Sequence, residues 1–180
     1  ADLTLVLVSR GDVERALAMA QQAVTLTREI DSQMMLSVSL AYQGAAMLAA
    51  GALQEARHAR REAAQRAWKH QHLFSLMLAF YYLAVLLSLE CQNGERRDIA
   101  GSIRTAVLLL DCGRNRGGTW KAFKDRALHL QGNIAGFVPP ATLASALREG
   151  QRRTVDELVN LLLEGDAIDG IAIPATKGRS

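Results

Sequence analysis

The residues best equipped for chemistry are a glycine-rich stretch at 113–121, four histidines, two cysteines and an acidic cluster near the C-terminus. GRNRGGTWK sets Gly113 and Gly118 at the separation of a phosphate-binding loop. Thr119 stands where such a loop needs lysine, so the cation that would meet the phosphate is missing. Cys112 to Thr119 therefore reads as a break between helices. The histidines are His58, His70, His72 and His129. His70 and His72 are two positions apart, and on a helix they point about 200° away from each other. They can share a ligand only from a loop, and no Cys, Asp or Glu accompanies them at metal-ligand spacing. Glu164, Asp166 and Asp169 lack the alternating spacing, central glycine and closing glutamate of a calcium loop. Cys91 follows Glu90, whose charge opposes thiolate formation, and no G-x-S-x-G is present, which argues against a hydrolase. Cys91 and Cys112 form no C-x-x-C pair and read as reduced thiols of a cytoplasmic protein. The expectation is a non-enzyme with no catalytic, cofactor-binding or metal-binding residue and no cofactor.

Basic residues form the other chemical candidate. Arg57, Arg60, Arg61, Arg66 and Lys69 share one helical segment. Arg96, Arg97 and Arg104 follow in the next. If the two helices stack, Arg57, Arg60, Arg61, Arg96, Arg97 and Arg104 align as a candidate basic face on the outer surface. Such a stripe meets phosphates or an acidic protein. Only Trp68 lies nearby, so stacking on bases is not indicated, and the net charge of +3 is mild. The plain reading is a solvated arginine-rich helix face, with nucleic acid unlikely as a partner.

What must position these side chains is helical. The 180 residues are 49% hydrophobic with 3 prolines and 5% aromatics, and alanine and leucine dominate. A segment repeats. Gly11 opens GDVERALAMAQQAV, Gly51 opens GALQEARHARREAA and Gly94 opens GERRDIAGSIRTAV. Ala16, Ala56 and Ile99 stand five residues on, and Ala23, Ala63 and Ala106 twelve residues on. Upstream, Leu40, Gly44 and Met47 repeat as Phe80, Ala84 and Leu87, so the loop before Gly94 reads as about three residues longer. Each unit is an antiparallel helix pair joined by a short glycine turn. The second helices are amphipathic, with Val13, Ala16, Leu17, Ala20 and Val24 on one face. The first helices are uncharged from Met34 to Leu53 and from Leu73 to Leu89. Such helices are enclosed either by neighbours or by lipid. Ser37, Ser39, Gln43 and Gly44 interrupt the first run, which favours burial in protein over a membrane.

Further along, a helix from Trp120 to about Leu130 carries Trp120, Phe123, Ala127 and Leu130 on one face. Pro139 and Pro140 start another that ends at Gly150. Thr154 and Glu157 form a capping box for a last helix with Val155, Leu158, Val159 and Leu162 inward.

These features resemble the tetratricopeptide repeat. Gly44 or Ala84 takes that family's small position in the first helix. Gly11 and Gly51 take its turn, and Ala16 with Ala23 and Ala56 with Ala63 take its second-helix alanines. The period of 40, the missing tryptophan and the missing terminal proline depart from it. The longer repeat, and the segment Phe137 to Glu164, are similar to the C-terminal repeat regions of large bacterial signal-transduction ATPases and related transcriptional activators. The ATPase itself is not in this sequence.

The resemblance implies an all-α antiparallel helix-pair solenoid, a TPR-like superhelix, over 1–110, with the first repeat truncated and further repeats upstream. A C-terminal helical cap over 111–165 and a flexible tail over 166–180 complete the expected organisation. By the same resemblance the first helices line a concave groove through Val38, Ala41, Ala45, Leu48, Leu78, Tyr81, Val85 and Ser88. The expected function is a non-catalytic protein-interaction or effector-sensing module of a larger regulatory protein. Its partner is a protein or small effector, and an ATPase or DNA-binding module is attached in the parent. The alternatives are a nucleic-acid-binding repeat using the arginine face and a membrane-associated helical protein.

Overall fold

The computed structural model describes residues 2–92, 99–115 and 121–164, with the backbone alone at 2, 99, 100, 113–115, 122, 123 and 161–164. The fold is all-α, and no strand occurs among the described residues. In chain order the helices are α1 (Asp2–Ser9), α2 (Val13–Glu29), α3 (Gln33–Ala49), α4 (Leu53–Lys69), α5 (Leu73–Gln92), α6 (Ile99–Asn115), α7 (Lys121–Ala135), α8 (Pro140–Gly150) and α9 (Val155–Glu164).

The period of 40 extends to backbone detail. Helices α2 and α3 begin 40 residues before α4 and α5. Gly11 and Gly51 adopt φ of 76° and 77°. At each, the glycine N–H donates to the carbonyl three residues back, Val8 or Leu48. The next N–H, of Asp12 or Ala52, donates five back to Leu7 or Met47. This 6→1 and 5→2 pair closes a helix on a left-handed residue. The turns between α2 and α3 and between α4 and α5 use the same two bonds without glycine. There Asp31 and Gln71 hold φ of 49° and 57°. A side chain in that region costs free energy that glycine avoids.

Successive helices pack on one another from α1 through α7, and α1, α3, α5 and α7 also touch in sequence. The second helices approach closely because Ala16, Ala56, Ala63 and Ala67 offer only methyl groups, all fully buried. Helix α3 is buried without interruption from Leu36 to Ala46. Leu76, Leu83, Leu86 and Leu87 of α5 are also inside. Each contributes about 1.5–3 kcal/mol of apolar burial. Although α5 is long and apolar enough to cross a membrane, 72% of its most apolar window is buried inside the protein.

Two expectations change. The extra three residues before Gly94 lengthen a helix: α5 has 20 residues where α3 has 17. The break at Cys112 begins later, since α6 runs on to Asn115 and so passes through the 110/111 boundary. Gly150 ends α8 as expected and is buried against Asp111, whose carboxylate lies 3.1 Å from where a Cβ would sit. Helix α8 packs on α6, and α9 packs on α4 and α6, so one core runs from Val24 to Val159. The capping box forms as expected. Thr154 N–H donates to Glu157 Oε2 at 2.7 Å, and Glu157 N–H to Thr154 Oγ1 at 3.2 Å. Gly94, Trp120 and the tail over 166–180 lie outside the described residues, as do the side chains of Ile99, Phe123 and Leu162.

No atom stands within 4 Å of a Cβ built at Gly51, so its cost on substitution is purely conformational. Gly51→Ala is expected to lower the unfolding free energy by about 1 kcal/mol, and Gln71→Gly to raise it by about as much. Urea denaturation of the two variants checks both signs.

Candidate functional site

The chemically richest place in the fold is an ionic and aromatic cluster joining α3, α4 and α5. Arg60, on α4, has no exposed surface. Its guanidinium donates to the carbonyl oxygen of Tyr82 on α5 at 2.5 Å and to that of Gly44 on α3 at 3.1 Å. It also lies 5.4 Å from the centre of the Tyr82 ring, within cation–π reach. One turn earlier, Arg57 donates to the buried carboxylate of Glu90 at 2.5 Å. Tyr42 and Tyr81 meet the Tyr82 ring edge-on at 6.2 and 5.2 Å. Desolvation pulls the Arg60 pKa down to about 10, against the opposing influence of Tyr82 and Glu90, so it stays cationic at neutral pH. Burial raises the Tyr82 phenol.

Gly44 makes the cluster possible. A Cβ there would lie 2.6 Å from Arg60 Cγ and 3.1 Å from the Ala56 carbonyl oxygen. The small position expected from the repeat is thus a channel through which an arginine passes.

Four of the six candidate basic residues lie among those described, and they do not form an outer stripe. Arg60 points inward, which overturns its place on an exposed face. Its stem packs into the core while the head reaches backbone oxygens, a pattern that charge counting along a helix does not reveal. Arg57 is largely buried and committed to Glu90. Arg61 is half-buried. Arg104 is exposed and paired with Glu149, which also accepts from Arg153. Arg96 and Arg97 lie outside the described residues. Partial burial pushes the Glu149 carboxyl upward, but its hydrogen bonds to Arg153 and Arg104 outweigh that and hold it below the usual carboxylate range.

The expected groove is also narrower than its residue set. Val38, Ala41, Ala45, Leu78 and Ser88 are buried between helices. Leu48, Tyr81 and Val85 are half-buried and reach the surface. Tyr81, Val85 and the exposed Leu89 fall four residues apart along one face of α5. Burial raises the Tyr81 phenol, and Arg126 of α7 is near enough to oppose the rise. The surface that remains is an apolar strip with a phenol and a guanidinium at one point.

His70 and His72 sit at the α4–α5 turn, not on a helix, and their rings lie nearly parallel with centroids 6.4 Å apart. No group of three metal-ligating side chains occurs among the described residues. Beside His70 is a polar hollow of about 390 Å³ lined by Gln33, Glu62, Gln65, Arg66 and Lys69. Its Arg66 is held by Glu62 at 2.8 Å and by Gln33 at 2.9 Å. Of the phosphate-loop look-alike, Gly113 is helical, while Gly118 and Thr119 lie outside the described residues. So do Asp166 and Asp169, while Glu164 closes α9.

Sequence reasoning missed Glu90 and the partners of Arg60. One signal was present: Glu90 is the lone charge in α5, and it follows an arginine-rich helix. No family model, curated protein or solved structure matches the chain.

Glu90→Gln leaves the largely buried Arg57 without its counter-charge and is expected to cost about 3–5 kcal/mol. Gly44→Ala forces Arg60 aside and is expected to cost about 1–3 kcal/mol. Both are read from urea midpoints. Because the folded Glu149 carboxyl is depressed, its contribution is present above the unfolded pKa of about 4.3 and is lost as pH falls below it. Arg104→Gln is expected to flatten the acid limb of the stability profile, by less than about 1 kcal/mol at neutral pH.

Proposed function

We propose that the chain is a tetratricopeptide-like helical-repeat module, an antiparallel helix-pair solenoid with a C-terminal cap, that recognises a protein partner or small effector without catalysing a reaction. The observation that carries this reading is the 40-residue recurrence of helix bounds and turn hydrogen bonds, joined to the row of contacts along α1, α3, α5 and α7. A repeat of this kind buries its core by stacking and leaves extended surface for binding. The strip of Tyr81, Val85 and Leu89 with Arg126 beside it supplies an aromatic anchor, apolar area and one cation, a composition suited to a helix or an acidic-ended ligand. We place the module in the cytoplasm, within a larger bacterial regulatory protein whose attached ATPase or DNA-binding module responds to occupancy. Two buried thiols, Cys91 and Cys112, accord with a reducing compartment.

Nothing in the geometry favours the nucleic-acid alternative, because Arg57 and Arg60 spend their charge inside the protein. The burial of α5 likewise leaves the membrane alternative without support.

The test compares immobilised wild type with a Tyr81→Glu, Val85→Glu double variant. Proteins or effectors retained by the wild type and lost by the folded variant are the expected result. A bound effector at a hundredfold excess over its Kd is expected to stabilise the wild type by about 2.7 kcal/mol, read as a rise in Tm. Identical retention by both proteins, with no ligand-dependent Tm shift, would overturn the reading.

A further inference from the structure

The polar hollow beside His70 is lined by residues that the repeat does not require. Glu62, Gln65, Arg66 and Lys69 follow at i, i+3, i+4 and i+7 on one face of α4, and Gln33 at the start of α3 stands opposite. Both walls belong to complete helices of 17 residues. The volume of about 390 Å³ is in the range of sites for small molecules. The corresponding positions in the flanking units differ. Forty residues earlier, α2 carries Gln22, Thr25, Leu26 and Glu29. Forty-three residues later, with the lengthening of α5 carried through, α6 carries Thr105, Leu108, Leu109 and Cys112, all buried. Arg66 therefore stands where both neighbouring units have leucine.

This arginine is fixed by the protein itself. Gln33 Nε2 donates to Asp31 Oδ1 at 2.8 Å, Arg66 Nη1 donates to Gln33 Oε1 at 2.9 Å, and Arg66 Nε donates to Glu62 Oε1 at 2.8 Å. One chain of four side chains thus ties the α2–α3 turn, the start of α3 and α4 to a single guanidinium. Two of its five N–H groups are used, so three remain. Lys69 brings three more and has no ion pair among the described residues. The exposed Gln65 amide brings two. Against these donors stand only the second oxygen of Glu62 and the Gln65 carbonyl. Arg66 and Lys69 against Glu62 leave one positive charge in excess. The hollow is therefore rich in donors, short of acceptors and unbalanced by a single charge.

We propose that this hollow is a binding site for a small polar carboxylate of single negative charge. The remaining N–H groups of Arg66 and Lys69 receive the carboxylate, and the Gln65 amide meets the polar remainder of the ligand. A dianionic phosphate exceeds the one charge on offer and is repelled more strongly by Glu62. The site is separate from the strip of Tyr81, Val85 and Leu89, and it stands whether or not that strip binds anything.

The probe is gluconate, with glucose as its uncharged counterpart and inorganic phosphate as the competing oxyanion. Titration of the full chain at low ionic strength, followed by amide chemical shifts, is expected to saturate with a Kd below about 1 mM and to weaken as salt is added. Lys69→Gln is expected to weaken binding at least about fivefold, and Glu62→Gln, which removes the opposing charge, to tighten it about twofold. Lys121→Gln makes the same charge change at an exposed lysine of α7 and is expected to leave binding unaltered. The Tyr81→Glu, Val85→Glu double variant is expected to bind gluconate as the wild type does, so failure of the strip and failure of the hollow are read apart. Lys69 is exposed and Glu62 half-buried, so circular dichroism of their variants should match the wild type. Absence of saturation up to about 10 mM overturns the proposal. So does glucose binding as well as gluconate, phosphate binding more tightly than gluconate, or an equal loss in Lys69→Gln and Lys121→Gln.

Discussion

A guanidinium held with no exposed surface is the constraint on which the middle of this structure depends. Removing Arg60 from water is costly, and the cost is offset only where groups from its neighbours meet the head. Tyr82 and Gly44 supply carbonyl oxygens, the Tyr82 ring supplies its face, and Glu90 supplies negative charge from the next turns of α5. These groups come from α3 and α5, while the arginine comes from α4. Three helices must therefore hold a common register for one charge to be satisfied. A slip of one residue between any two would move a carbonyl out of reach. Apolar burial makes the helices pack, and the arginine selects one of the packings they could adopt.

That selection explains the small residues. Gly44 lets the arginine stem cross α3, and Ala56, Ala63 and Ala67 bring α4 close enough to its neighbours for the head to reach them. In the next unit the position equivalent to Arg60 is Ile103, fully buried, if the three-residue lengthening of α5 is carried through. There Ile103, Val107, Leu109 and Leu110 fill the interior without a buried arginine, and α6 is enclosed by α5, α7, α8 and α9 together. Arg104, the neighbouring cation, turns outward and binds α8 through Glu149.

Much of the fold was legible in the residues, and the reasons are local. Gly11 and Gly51 mark turns because a left-handed residue at a helix end favours glycine, and the Thr154–Glu157 box announces its helix by side-chain reach alone. The enclosure of α3 and α5 followed from their lack of charge. What stayed hidden depends on partners remote in sequence. Arg60 looks like Arg61 until the carbonyls of Gly44 and Tyr82 are in place around it. The groove residues were chosen by face, but α3 is covered on all its faces from Leu36 to Ala46, so a correct helical phase still gave buried positions for Val38, Ala41 and Ala45. Asp31 and Gln71 carried no turn signal, since their left-handed geometry is imposed by the hydrogen bonds that close α2 and α4.

The same contrast between local and remote determinants separates the surroundings of α6 from those of α2. Around α6 the outer positions are taken by α7, α8 and α9, whose capping box and proline start fix them independently of any repeat. Around α2 the outer positions follow the repeat rule, which assigns to each second helix two first helices as neighbours, one before it and one after. Helix α4 has both along its whole length. Helix α2 has α3 along its length and α1 beside only its first turns. The apolar residues of α2 obey the rule regardless: Met19, Leu26 and Ile30 stand where a full-length neighbour would bury them.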